Sequence, residues 1–230
     1  ERLLAGDESL ADGAGRPLRF TLGDLRLAAQ IDLTMLRGES NNVLARLQVG
    51  EKPSRQTIVL GAHLDHLGHG EGEGSLADAS EAGQIHFGAD DNASGVAVLL
   101  EIAESLAARR AAGEDLGRRD FVFAAWSGEE LGLLGSDRWV DENVNPHSHD
   151  AGPVVALNFD MVGRLTDEVV VQGAGSSPGF RALLERAAMP GSLALSVRDD
   201  AYLPTDSTSF YAHELPVLSA FTGAHAEYHT

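Results

Sequence analysis

Three stretches of this chain are apolar almost without interruption: TIVLGA (57–62), FVFAAW (121–126) and VVALNF (154–159). Each is short and rich in β-branched or aromatic residues. None shows the alternation of a strand with one wet face, which predicts central strands buried on both sides. Between the first two runs, Val96, Leu99, Leu100, Ala103 and Leu106 recur at helical spacing within VAVLLEIAESLAARRAA, so a helix is predicted just after Asn92-Ala93-Ser94-Gly95. The expected fold class is α/β: a three-layer, open, mixed but largely parallel sheet with helices on both faces. Phe20, Trp126, Trp139, Phe159 and Phe210 are read as core packing rather than a ligand cage. The Gly/Glu/Asp-rich segment from Gly68 to Gly83 is read as a solvated surface loop, and no regular spacing supports a calcium site in it.

The polar residues that close these runs carry the chemistry. His63 follows the first run, Glu129 and Glu130 follow the second through Ser127-Gly128, and Asp160 follows the third. Asp91 stands just ahead of the predicted helix, where the dipole favours an anion, and His229 lies in AEYHT. Imidazoles and carboxylates at the carboxyl ends of strands in an open sheet point to a metal site there. A pair of zinc ions roughly 3.5 to 4 Å apart needs one carboxylate that reaches both and about two further ligands for each. His63, Asp91, Glu130, Asp160 and His229 supply that set. Two Zn²⁺ against the carboxylates of Asp91, Glu130 and Asp160 leave one positive charge, which a bridging hydroxide cancels. Taken singly, each residue has a plainer reading: an aspartate before a helix caps it, and Glu-Glu before LGLLGS starts one. The ordered set points to the metal. His66, His69, His86, His147, His149 and His213 are read as loop or surface residues, with His66 and His225 set apart because they flank the ligand motifs.

The segments GAHLDHLG, GADDNASG, WSGEELGLLGS, LNFDMVG and AEYHT, in that order, resemble the secreted co-catalytic two-zinc aminopeptidases, whose relatives include glutamate carboxypeptidases and single-zinc glutaminyl cyclases. The resemblance runs from about Asn41 to the end. It implies that His63 and Asp160 bind one zinc, that Glu130 and His229 bind the other, and that Asp91 bridges them. It makes Glu129 the general base, Tyr228 a group that steadies the tetrahedral oxyanion, and Asp65 a carboxylate that orients the His63 imidazole. The bond Asp91-Asn92 is expected to be cis. The implied reaction removes the amino-terminal residue of a peptide or aminoacyl substrate through a hydroxide bridging the metals, with Glu129 and Asp160 holding the α-ammonium. The implied location is secreted, periplasmic or at the cell surface.

Three rival readings share the frame. A carboxypeptidase of the family needs arginines for the substrate carboxylate, and Arg164 and Arg198 are the candidates. A glutaminyl cyclase holds one zinc, against which the retention of both His63 and Asp160 speaks. A receptor-like ectodomain would have lost ligands or the base, and none is lost. One departure from the family pattern falls in PTDSTSF, where Asp206 is followed by Ser207 rather than a histidine, so the pocket wall differs there.

Composition narrows the picture further. The 17 basic against 35 acidic residues give a net charge of −18, which argues against nucleic acid or an anionic membrane as partner. Without cysteine, a metal can be held only by nitrogen and oxygen. No stretch approaches the roughly 18 apolar residues of a membrane span. At 230 residues and 43% hydrophobic content, the chain is read as a single zinc-peptidase catalytic domain over 1–230. Residues 1–40 are read as the return from a missing or inserted lid domain. Because Thr230 follows His229 directly, a closing helix is expected to be cut away. Oligomeric state and the side chain preferred at the cleaved position leave no mark on these patterns.

Overall fold

The computed structural model describes residue 30 and residues 37–70, 74–145, 150–188 and 193–230. The chain divides into two compact units, Glu1–Gly38 and Glu39–Thr230, and the second holds the sheet. Phe20 and the lid reading of 1–40 fall on residues 1–29 and 31–36, outside those described.

Among the described residues, seven strands and four α-helices follow one another: β1 (Val43–Leu47), β2 (Gln56–His63), α1 (Gly95–Ala111), β3 (Asp120–Trp126), α2 (Leu134–Asn143), β4 (Gly152–Phe159), β5 (Glu168–Gln172), α3 (Phe180–Ala187), β6 (Ala194–Val197), α4 (Ser207–Tyr211) and β7 (Val217–Phe221). The sheet runs β1-β3-β2-β4-β7-β5-β6. The four neighbours β3, β2, β4 and β7 are parallel, while β1 joins β3 and β5 joins β7 antiparallel. The three apolar runs are the central strands of the parallel block, as their patterning predicts, and the helix read after Gly95 is α1.

Alternate residues of these strands face opposite layers, which is why the runs are almost wholly apolar, with Thr57 and Asn158 as buried polar exceptions. Val59, Ala124, Trp126, Ala156 and Val217 pack with Trp139 and Val140 of α2 and Phe210 of α4. Leu60, Ala62 and Phe123 face Leu99 on the other side, with Val96, Ile102 and Leu106 of α1 beside it. The rings of Trp126, Trp139 and Phe210 lie 5.6 to 5.9 Å apart, so these aromatics are core, each worth about 1.5–3 kcal/mol of burial.

A buried carboxylate and a close backbone approach fix the frame. Asp120, fully buried at the start of β3, accepts from Arg46 Nη2 at 2.8 Å, Ser54 N at 2.9 Å and Val49 N at 3.1 Å. Burial pushes its carboxyl up, but the Val49 and Ser54 amides and the Arg46 guanidinium outweigh that and hold it below the usual carboxylate range. At the other end of the sheet, α1 approaches β4 so closely that a Cβ at Gly95 would lie 2.3 Å from the Phe159 carbonyl oxygen. Only glycine fits that start. The register places His63 opposite Trp126 and Gly61 opposite Asn158, so β2, β3 and β4 end level with one another.

Candidate metal centre

Where the parallel strands end together, their following residues converge. His63 closes β2 and is 1% exposed. Its Nδ1–H donates to the main-chain carbonyl of Asp65 at 3.0 Å, which turns Nε2 toward Asp91 Oδ1 (3.1 Å) and Asp160 Oδ1 (3.4 Å). His229 repeats the arrangement from the far end of the chain. Its Nδ1–H donates to the Gly74 carbonyl at 2.8 Å, and its Nε2 lies 3.1 Å from Asp91 Oδ2 and 3.4 Å from Glu130 Oε2. A carbonyl on one ring nitrogen fixes the tautomer and leaves the other free to coordinate. The two imidazoles meet opposite oxygens of one carboxylate.

These separations test whether zinc fits. Donor atoms at about 2.0–2.1 Å from a tetrahedral zinc lie about 3.3 Å from one another. The four contacts, 3.1 and 3.4 Å on each side, bracket that value. Among the described residues, ligand atoms gather into three overlapping groups, each within 4.8 Å: His63, Asp91 and Asp160; His66, Asp91, Glu130 and His229; and His63, Glu129 and Glu130. Asp91 belongs to the first two. The donor set fits a pair of zinc ions.

The turn Ala89–Ser94 that carries Asp91 is held by its neighbours' side chains. Asp91 and Asn92 depart from helical dihedrals, and the peptide between them is cis, as expected. Asn92 Oδ1 accepts from Gly95 N at 3.0 Å and Met161 N at 3.3 Å, and its Nδ2 donates to the Phe159 carbonyl at 2.9 Å. Asp90 Oδ1 accepts from Gly163 N at 2.7 Å. These bonds tie Asp91 to the segment after β4 that bears Asp160. Asp160 N in turn donates to the Ala220 carbonyl of β7 at 3.2 Å.

Three placements differ from the sequence reading. The Asp65 carboxylate makes no bond to His63; it accepts the main-chain N–H groups of Glu129 (3.2 Å) and Glu130 (3.4 Å), while its carbonyl serves the imidazole. Those amides lie beyond the end of β3 and have no ladder partner, so a carboxylate takes them. The segment 68–83 is more than solvated surface, because Gly74 holds the His229 ring and Leu76 N donates to the His229 carbonyl at 2.8 Å. His86 is buried rather than exposed, 7% accessible, with its ring edge-on to His66 at 6.1 Å. His66 itself stands within the cluster. Sequence offered only its position beside a ligand motif as a signal.

The field at the cluster is strongly negative. Burial lowers His63, but its bonds to Asp160 and Asp91 outweigh that and push it up to about 12. Burial raises Glu129 to about 8, against the pull of His63 and with the help of Asp206, Asp160 and Glu130. Asp206, 1% exposed just before α4, is pushed by burial up to about 7. Carboxylates this close call for cations among them.

A cavity of about 320 Å³ opens onto the cluster, with Met161, Leu203, Phe221 and Ala224 among its walls and Tyr228 beside them. Tyr228 is 37% exposed and its ring stacks on His229 at 3.7 Å. Partial burial first, then the charges of Asp91 and Glu130, push its phenol up to about 12. Arg164 donates from Nη1 to Glu227 at 2.8 Å, Arg198 is exposed, and neither lines the cavity.

A largely parallel α/β sheet whose strand ends gather such a donor set beside a cleft defines a class, the open-sheet metallopeptidases. The chain belongs to Peptidase family M28, whose model matches residues 42–230. It is 31% identical to the aminopeptidase NAALADL1 of Mus musculus over 193 residues, 82% of this chain and 23% of that relative. It is likewise 31% identical to an aminopeptidase of Pseudomonas aeruginosa over 180 residues, 78% of this chain and 28% of the relative. The chain thus spans about a quarter of the length of these curated relatives. Its fold matches the crystal structure of a zinc aminopeptidase from Bacillus subtilis with a TM-score of 0.58 at 22% identity, covering 82% of this chain and 43% of the other. Among the described residues, no helix is long and apolar enough to cross a membrane.

Proposed function

We propose that this chain is the catalytic part of an aminopeptidase that holds two zinc ions and removes the amino-terminal residue of peptides outside the cytosol, the location resting on the family resemblance. One observation carries the choice of chain end. Asp91, Glu129, Glu130 and Asp160 line the cavity, and no arginine or lysine does so among the described residues. The carboxylate required by a carboxypeptidase would find no cationic side chain in that lining to pair with, whereas Glu129, outside the zinc-ligand set, offers an α-ammonium an acceptor.

His63 and Asp160 would hold one zinc, Glu130 and His229 the other, and Asp91 both. Zinc held there supplies an acidified water and a polarised scissile carbonyl. Glu129 accepts the proton of the attacking water on its carboxylate and delivers it to the leaving amine nitrogen. Glu129 lines the same cavity as the ligand carboxylates, so its proton acceptor faces the space where substrate would lie. Asp65 holds the Glu129 and Glu130 amides, so the two side chains keep separate directions. Tyr228, whose phenol stays protonated, donates its O–H to the substrate oxyanion.

The test is a panel of aminoacyl anilides beside amino-blocked peptides and peptides with a carboxyl-terminal glutamate, each with and without chelator. Release from free-amino substrates only, abolished by chelator, is expected. Cleavage of the blocked peptides from their carboxyl end, or cyclisation of amino-terminal glutamine in place of hydrolysis, would overturn the reading.

A further inference from the structure

We propose that His66 is a positioning residue that donates a hydrogen bond to Glu130 and thereby presents a single oxygen of that carboxylate to the zinc shared with His229. The inference rests on the two-zinc reading and goes beyond its five ligands.

Distance separates the two roles open to this histidine. Atoms that share a tetrahedral zinc stand about 3.3 Å apart. His66 Nδ1 lies 2.7 Å from Glu130 Oε1, too close for two donors on one ion and right for a charge-assisted hydrogen bond. It lies 4.0 Å from Asp91 Oδ2, farther than the contacts made by His63 and His229. Glu130 divides its oxygens accordingly, with Oε1 toward His66 and Oε2 toward His229.

The ring nitrogens agree. His63 and His229 each place Nδ1 on a main-chain carbonyl and turn Nε2 to the cluster. His66 turns Nδ1 inward instead, where the tautomer protonated on that nitrogen would donate to the carboxylate.

The ring is also held in place. It packs edge-on against His229 at 5.6 Å and His86 at 6.1 Å, and the backbone at position 88 leaves it room. Gly88 sits at φ 60°, and a Cβ there would lie 2.9 Å from His66 Cγ. Removing a partner that orients a metal-ligating carboxylate costs about 10–100-fold in metal affinity.

The experiment measures zinc stoichiometry and the dissociation constant of each ion by chelator competition, on the parent, His66→Ala and His66→Asn. Asparagine carries its amide nitrogen on Cγ, as histidine carries Nδ1, so it can give the same bond without the ring. The weaker of the two zincs should lose about 10–100-fold in affinity in His66→Ala and stay within about 3-fold of the parent in His66→Asn. Cobalt(II) spectra of the parent and His66→Asn should coincide. Either His66→Asn as weak as His66→Ala, a changed cobalt spectrum in His66→Asn, or unaltered affinity in His66→Ala overturns the proposal. A parent that binds fewer than two ions sinks the two-zinc reading, and the role of His66 falls with it. Matching thermal unfolding of the three metal-free proteins shows that a loss is local to the site.

Discussion

Glu129→Gln should stabilise the metal-free protein while crippling the zinc-loaded one. Burial, reinforced by Asp206, Asp160 and Glu130 and opposed by His63, pushes this carboxyl from 4.5 to about 8. In the unfolded chain it ionises near 4.3. Below that pH both states are protonated and the residue is neutral toward stability. Above it the unfolded state gives up the proton while the folded state keeps it, so stability falls as pH rises and levels off beyond about 8. A displacement of this size corresponds to at most about 5 kcal/mol. Glu129 is only partly buried, so screening reduces the expected gain in the variant to about 2–4 kcal/mol at pH 8.5, or about 5–15 °C in Tm. Calorimetry of parent and variant in excess chelator at pH 5, 7 and 8.5 measures it. The gap should open with pH. A gap that is constant, or a variant less stable than the parent at pH 8.5, would refute the argument. The zinc-loaded variant should keep its metal and lose about 10²–10⁴-fold in kcat.

Two further outcomes follow from the frame and the cluster. Chelation should lower Tm, since zinc at about 1,000 times its dissociation constant contributes about 4 kcal/mol, and a Tm indifferent to zinc concentration would exclude binding to the folded state alone. Asp120→Ala should cost about 1–3 kcal/mol at pH 7, chiefly by leaving the Val49 and Ser54 amides without their buried acceptor while the half-exposed Arg46 turns to water, with zinc content unchanged. Because the folded carboxyl lies below its ordinary value, the difference should be full above about pH 4 and shrink as pH falls through the depressed value, which urea titrations across that range would follow.

The parallel block was legible because its strands are covered on both faces, so TIVLGA, FVFAAW and VVALNF are apolar but for Thr57 and Asn158. The cluster was legible for a related reason: residues that close buried strands have few places to go but the common end of the sheet. What stayed hidden concerns the choice between atoms. Asp65 offers a carboxylate and a carbonyl, and only the chain's course past His63 decides that the carbonyl takes the imidazole and the carboxylate takes the next turn. Gly74 contributes through its backbone, which has no sequence signature, and its partner His229 lies 155 positions away. His66 sits three residues after His63 in a motif whose first histidine already accounted for the chemistry.

β7 follows β4, β5 and β6 along the chain, yet it lies inside the sheet, between β4 and β5. A polypeptide leaving the ribosome can gather His63, Asp91 and Asp160 once β4 has been synthesised, but the partner of Glu130, His229, emerges only after β7. That strand must slot into an open gap before the segment that bears His229 can reach Asp91, 138 positions upstream. Until then the cluster has four of its five candidate ligands, and Glu130 lacks its neighbour His229. Completion of the cluster is therefore tied to the insertion of β7, so the arrival of its last candidate ligand reports the closure of the sheet.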